Sequence, residues 1–301
     1  MARVTEYFGI NSDVPFVDVH VDRDNDIYLD PSAIRNDQSP LGAAANNRLT
    51  TLFERVVAAA RSNTPQEHAI GRELLRHLHE PNETRLGMSV GEPRGRAFGD
   101  KLAEEFWQEL RVNPACQDAA IRRLEDTRLC LKFVGNDRIS DMTTRIIFDV
   151  LAKFTTDMMT AYPALKAGAQ TAESDVWVPD EGQWQGRTIT LPFATNKQLL
   201  LVPQPWVSKW TLMYPDQFYN LYSTQAIQDE QTTFNEKGRR VKPSKEAIKK
   251  QNPDKKPLNS AKAAEYITAA DGRDLIGEYR SKVDIEFEPL TAEAINERIG
   301  D

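Results

Sequence analysis

Apolar and polar positions alternate at the start of the chain. Phe16-Val17-Asp18-Val19-His20-Val21-Asp22 has the period of a half-buried strand, and Ile27-Tyr28-Leu29-Asp30 resumes it after the turn-like Arg23-Asp24-Asn25. The spacing predicts a β-hairpin that Pro31 ends. A helical period follows. Leu49, Leu52, Phe53, Val56 and Val57 form one stripe over 47–60. Ile70, Leu74, Leu75 and Leu78 share a face over 65–79, with Pro65 in the first turn. Two further helices are expected over 100–110 and 114–126. The run RLCLKFV at 128–134 reads as a short buried strand. After Gly135-Asn136-Asp137-Arg138-Ile139, Ser140 is a natural N-cap for the strongest helix, and Asp141 suits its positive end. The stripe of that helix is Ile146, Ile147, Val150, Leu151, Phe154 and Met158, ending near Pro163.

The next third is β-like over 175–178, 187–191 and 198–202, where Pro192, Pro203 and Pro205 confine the strands to short or edge pieces. Helical character returns over 215–227 and again over 260–270. These elements predict an α+β fold with an N-terminal β-hairpin, a helical middle, a small mixed sheet and C-terminal helices. The expected organisation is a main domain over 1–235, a basic exposed arm over 236–258, and a C-terminal helix and acidic tail over 259–301 packing on the main domain. No internal repeat interrupts this order.

Composition narrows the class. Of 301 residues, 40% are hydrophobic and 28% charged, ordinary for a globular protein and too apolar for disorder throughout. With 45 acids against 38 Lys and Arg, the net charge is −7. No apolar run approaches a membrane span, and the N-terminus lacks the basic-then-apolar pattern of a signal peptide. Only Cys116 and Cys130 occur, too few for a disulfide framework or a four-thiolate zinc site. A cytoplasmic protein with no membrane contact is the expectation.

Four segments can carry chemistry. In the expected hairpin, Asp18 would face Asp30 and Asp22 would face Asp26, a like-charge arrangement that costs up to about 1 kcal/mol per pair. A divalent cation would reverse that sign; a solvated acidic face, screened by salt, is the plainer alternative. An EF-hand is excluded, since Ile27 stands where the loop needs Gly and Ala33 where it needs Glu. The second segment, 135–141, lies between the expected strand and helix, where free backbone N–H groups and the helix dipole meet. Asp137 and Asp141, with Arg138 between them, would hold a metal or position a phosphate; a local ion pair and cap would explain the same residues. The third is the Gly/Arg loop over 85–99, whose Arg85, Arg94 and Arg96 would clamp a phosphate, although it is neither a Walker A loop nor a dinucleotide fingerprint. A plain surface loop is its alternative.

The fourth is the arm over 237–256, with nine bases against two acids. Its Lys242, Lys245, Lys249 and Lys250 would contact phosphates nonspecifically, or an acidic surface of this chain or a partner. Other chemistries find little support. His77 and His79 are two apart and would point to different sides of a helix. No Gly-x-Ser-x-Gly elbow exists, and a nuclease core over Pro179, Asp180 and Lys197 breaks at Thr195.

Several segments, taken in order, resemble a group of uncharacterised bacterial proteins found in phage-defence and mobile-element neighbourhoods. They are Tyr28-Leu29-Asp30-Pro31, Arg85-Leu86-Gly87, Gly135 to Asp141, Leu199-Leu200-Leu201-Val202-Pro203 and Lys242-Pro243-Ser244-Lys245, covering about residues 15 to 260. The resemblance transfers no catalytic residue. It implies a bacterial or phage setting and favours nucleic-acid or nucleotide chemistry.

The leading expectation is therefore a metal-dependent phosphodiesterase or nuclease. Asp18 and Asp30 would bind Mg²⁺ or Mn²⁺, with Asp137, Arg138 and Asp141 catalytic and Arg85, Arg94 and Arg96 on phosphate. The alternative is a non-catalytic sensor or adaptor that binds a partner protein of the same operon. A third is binding of a small nucleotide signal over 85–99. A shared metal site requires the acidic hairpin and the Asp137 loop to meet within about 10 Å.

Overall fold

The computed structural model describes residues 2–87, 95–251 and 272–300. The fold is α+β: helices dominate, and the strands form small two-stranded sheets. After α1 (Val4–Phe8), the chain runs extended through the core, burying Phe16, Val17, Val19, Val21 and Ile27. The segment is largely buried on both faces, His20, Tyr28 and Asp30 included, rather than half-buried as the alternation predicts, and no hairpin forms. Val17 N–H donates to Val202 O at 2.8 Å, and Phe16 bridges to Pro203. Residues 28–29 form β1 (Tyr28–Leu29), paired antiparallel with residues 207–208. The turn is held by Asn25, whose Oδ1 accepts from His20 N–H at 3.0 Å while its Nδ2 donates to Arg85 O at 2.8 Å. The period of a strand is local; its partner is not.

Asp30 caps α2 (Pro31–Asn36), and Ser39 caps α3 (Pro40–Arg61), which buries the predicted stripe from Leu49 to Val57. Thr64 caps α4 (Pro65–Arg76), and α5 (Gly95–Val112) packs against it. The close approach needs Gly71, where a Cβ would stand 2.3 Å from the Trp107 ring and 2.8 Å from Ala59 Cβ. The helix expected over 114–126 is reduced to α6 (Pro114–Gln117) and a single 3-10 turn over Leu124–Asp126. The expected strand over 128–134 is instead α7 (Thr127–Cys130) and a loop. Among the described residues, no strand pairs with it. Arg128 is buried and donates to Thr211 O at 2.6 Å, so this short apolar run packs without a ladder.

The strongest predicted helix is broken in two, α8 (Asn136–Ile146) and α9 (Phe148–Ala161), at Ile147. It begins four residues before the expected cap. Gly135 is the N-cap, and Ser140 sits inside the helix, where its Oγ accepts Leu29 N–H at 3.0 Å. A nine-pair antiparallel hairpin, β2 (Gln170–Val178) and β3 (Gln183–Leu191), is longer than the pattern predicted. After β4 (Phe193–Ala194) and β5 (Lys197–Gln198), residues 199–202 are buried but not a strand, and β6 (Val207–Ser208) meets β1.

Helices α10 (Pro215–Phe218) and α11 (Thr224–Glu230) cover the expected segment over 215–227. The basic segment forms β7 (Thr233–Phe234), β8 (Arg240–Val241) and α12 (Lys245–Gln251), which packs on α11 through the buried Ile248. The helix expected over 260–270 lies outside the described residues. Two last helices, α13 (Leu275–Ile285) and α14 (Ala292–Ile299), return to the N-terminal half. Arg280 donates to the fully buried Asp126 at 2.6 Å, and Arg35 joins Glu125 to Asp284. Arg3 reaches Gly300 O at 2.7 Å. Among the described residues, no helix is long and apolar enough to cross a membrane.

Candidate functional site

Three consecutive turns of α8 present Asp137, Asp141 and Arg145, each four residues apart and so on one face. Asn136, in the first turn, accepts Thr211 N–H at 3.1 Å and Thr211 Oγ–H at 2.9 Å, tying the loop over 209–214 to this end of the helix. Asp137 lies exposed over Gly87. A Cβ there would stand 2.4 Å from Asp137 Oδ1, and Gly87 has φ +104°, so only glycine fits. Gly87 N–H donates to Asn25 O at 3.0 Å, which lodges the segment over 84–87 between the N-terminal turn and α8.

Arg85, on that segment, is only 5% exposed and has a left-handed backbone, φ +58°. Its Nη1 donates to Asn82 O at 2.8 Å, while its buried Nε and Nη2 have no hydrogen-bond partner among the described residues. Burial pulls its pKa down, opposed by the charges of Asp24 and Glu83. A buried cation with two unbonded N–H-bearing nitrogens is costly, and the Asp24 and Glu83 charges offset part of that cost. Burial pushes the Asp141 carboxyl well above the usual carboxylate range, and the negative charges of Asp137, Glu80 and Asp24 push the same way; Arg138 opposes them. Arg138 is itself lowered by burial and feels Glu105, Asp141 and Asp137. Gly87, which bonds Asn25 O and faces Asp137, is what links the N-terminal turn to the segment over 135–141, and Asp24 adds its charge to the acidic pool around Asp141.

The structure does not bring Asp18 and Asp30 to this pool. Asp18 accepts Thr5 N–H at 2.9 Å and Thr5 Oγ–H at 2.7 Å, fastening α1. Asp30 is fully enclosed and accepts from Ser32 N at 2.8 Å, Ser208 Oγ at 3.0 Å and Leu212 N at 2.7 Å. Both carboxylates are engaged in holding the chain together, and an enclosed Asp30 leaves no path for a hydrated cation. Among the described residues, no group of three or more His, Cys, Asp or Glu side chains is placed to hold a metal ion.

Of the phosphate-clamp arginines, Arg85 is buried and bonded to Asn82 O rather than open to a phosphate, Arg94 lies outside the described residues, and Arg96 is in the first turn of α5 with its side chain outside them. The basic arm turns back on its own chain. Lys242 pairs with Asp229 at 3.0 Å, Lys245 reaches Asn220 O at 3.3 Å, and Lys250 pairs with Glu246 at 3.5 Å. Lys249 is exposed on α12.

Sequence reasoning missed the layer behind Asp141. Arg145 is buried over the Phe148 ring at 4.8 Å, contacts His79 Nε2 at 3.0 Å and faces Glu83 at 3.8 Å. The signal was present as Asp-x-x-x-Asp-x-x-x-Arg on one helix face. His77 belongs elsewhere, stacked on Trp184 and bonded to Asp175 at 3.0 Å. Both cysteines are buried, and burial pushes the Cys116 thiol up to about 11, which removes it as a nucleophile at neutral pH.

The whole constellation, from Asp24 through Arg85 to Arg145, falls within one recognised unit. A family model described as a domain of unknown function, DUF8370, matches residues 9–214, well over half of the chain. No curated protein and no solved structure matches it. The chain belongs to the DUF8370 family.

Proposed function

We propose that this chain is a divalent-metal-dependent phosphodiesterase acting on nucleic acid or nucleotides, in the phage-defence setting that its sequence resemblance implies. The observation that carries the reading is the placement of Asp137 and Asp141 on one face of α8, with Arg138 between them and Asp137 against Gly87 on the Arg85 segment. Mg²⁺ commonly takes only one or two protein carboxylates and completes its octahedron with water and phosphate oxygens. Asp137 and Asp141 supply that number without a three-ligand cage. A bound cation would turn their mutual repulsion into attraction, activate a water and stabilise the leaving oxygen. Arg138 would neutralise charge developing on the phosphate, with Arg85 adding positive potential from behind.

The test is hydrolysis of bis(p-nitrophenyl) phosphate and of oligonucleotides with Mg²⁺ or Mn²⁺. The wild type should turn over, and Asp137→Asn and Asp141→Asn should lose at least about a hundredfold, the scale on which a positioned catalytic group acts. Undiminished turnover in both variants, or none by the wild type, refutes it.

A second reading is a non-catalytic sensor or adaptor for a partner protein. The exposed Lys249 of the basic α12 favours it. It predicts a stable complex with a neighbouring gene product that survives both Asp→Asn changes.

A further inference from the structure

Five large aromatic residues stand exposed among the described residues: Tyr7, Phe133, Trp210, Tyr214 and Phe234. Three of them lie on two segments, 131–136 and 209–214, that Asn136 and Thr211 bond together beside Asp137. Trp210 is 50% exposed, and the Arg298 guanidinium lies 5.0 Å from its ring centroid. Arg298 is held in turn by an ion pair with Asp26 and by a bond to the Asp26 carbonyl at 2.9 Å. Tyr214 has the same design, with the Arg128 guanidinium 5.2 Å from its ring. Each ring is thus backed on one face by a fixed cation while a large part of it remains open to solvent.

Phe133 adds a different kind of observation. It is 71% exposed and has φ +64°, a conformation that crowds Cβ and is unusual for a bulky residue. Glycine would make that turn without strain, and a residue 71% exposed recovers little of that cost by burial. Folding alone does not account for it. Exposed cations alternate with the rings in sequence, Lys132 before Phe133 and Lys209 before Trp210.

We infer that Trp210, Tyr214 and Phe133 form a base-stacking platform that feeds a single-stranded nucleic acid to the Asp137 site. The inference rests on the phosphodiesterase reading and names its substrate class. Open ring faces stack on bases whose own faces are free, as in a single strand; in a duplex those faces are covered by neighbouring pairs. Three rings with interspersed lysines suit a run of several nucleotides rather than one, because the lysines meet successive phosphates while the rings take bases. The carboxylates next door would repel that backbone, so binding should strengthen when Mg²⁺ neutralises them.

Trp210 also supplies the probe. Trp107, Trp177 and Trp206 are fully buried and Trp184 is half-buried, so quenching by a stacked base reports mainly on Trp210. The experiment titrates the full chain with a mixed-sequence 12-nucleotide single-stranded DNA, with its duplex, and with AMP, all in Mg²⁺. Binding is read by tryptophan quenching and by anisotropy of a labelled strand, while a denaturing gel follows strand length. The single strand should quench and bind at least tenfold tighter than duplex or AMP. Trp210→Ala should weaken it about tenfold, equivalent to about 1.4 kcal/mol for one lost stack. Phe133→Ala should weaken it too, whereas Trp210→Phe should bind within about threefold of wild type without the quench.

Quenching without strand shortening upholds the platform and overturns the phosphodiesterase. Shortening with wild-type affinity in Trp210→Ala and Phe133→Ala does the reverse. Equal affinity for duplex, or no binding of the single strand, also overturns the platform, the latter leaving these rings to a protein partner.

Discussion

Changing Asp30 to alanine separates a structural carboxylate from a metal-binding one. Asp30 caps α2 through Ser32 N–H and receives Leu212 N–H and Ser208 Oγ–H, all within an enclosed space. Truncation removes an N-cap worth about 1 kcal/mol. It also strands the Leu212 N–H, at about 1–3 kcal/mol for a buried donor, while the Ser208 hydroxyl rotates to find relief. The expected loss at pH 7 is about 2–4 kcal/mol, or roughly 4–8 °C in Tm for a chain of this size. Asp30→Asn keeps the cap and should lose about half as much.

The pH dependence has a definite sign. Burial raises the Asp30 pKa above its unfolded value near 3.8, so its protonated form favours the fold and that contribution is lost as pH climbs through the folded value. Asp30→Asn lacks this loss. Its deficit against wild type should therefore be largest below about pH 4 and shrink toward neutrality. Urea unfolding across pH 3.5–7.5, with the slope checked for constancy, measures both quantities. A Tm within about 1 °C of wild type, accompanied by loss of metal response, would refute the structural role and return Asp30 to a metal site.

Asp141→Asn should behave in the opposite way to most buried changes. Burial and the charges of Asp137, Glu80 and Asp24 raise its pKa, so in metal-free buffer its ionisation destabilises the fold as pH rises through the folded value. The variant should melt higher than wild type at pH 7–8 and match it near pH 4; a lower Tm at pH 8 would contradict the assignment. Arg280→Ala should cost about 3–5 kcal/mol in chemical denaturation, because it leaves the enclosed Asp126 without its cation. A loss under 1 kcal/mol would show that the backbone N–H groups of Arg122 and Arg123 suffice. Gly71→Ala should destabilise by about 1–2 kcal/mol despite better helix propensity, since its Cβ would collide with the buried Trp107 ring. A stabilised variant would mean that Trp107 is free to move.

What the chain declares locally, it declares well. The stripe from Leu49 to Val57 is read from spacing alone, because helix amphipathicity depends only on near neighbours; of the stripe expected on α4, Leu74 and Leu75 are buried while Ile70 is exposed and Leu78 lies past the helix end. The hairpin of β2 and β3 is likewise a local pairing. Errors arise where distant residues decide. Tyr28 and Leu29 have the strand period, yet their partners are Val207 and Ser208, and nothing near residue 28 encodes that. Ser140 has the chemistry of a cap, but its hydroxyl is taken by Leu29 N–H and the helix starts at Asn136, held by Thr211.

The candidate site shows the same division. Asp137 and Asp141 were legible as a pair because one helical turn separates them. That the turn over 22–26 comes near them depends on Asn25 gripping the Arg85 and Gly87 backbone across the fold. Asp18 and Asp30 have the same residue type and a similar acidic neighbourhood in sequence. Only their hydrogen-bond partners, Thr5 for Asp18 and Ser32, Ser208 and Leu212 for Asp30, reveal that these two carboxylates fasten the chain.

The most direct test of the proposal that Asp137 and Asp141 on α8 bind a divalent cation is a Mn²⁺ thermal shift on wild type, Asp141→Asn and Asp18→Ala. Saturation at a hundred times Kd contributes about 2.7 kcal/mol, or roughly 5 °C here. The account predicts that rise in wild type and in Asp18→Ala, from whatever starting Tm, and its absence in Asp141→Asn. A rise lost in Asp18→Ala but kept in Asp141→Asn, or no rise in wild type, would contradict it.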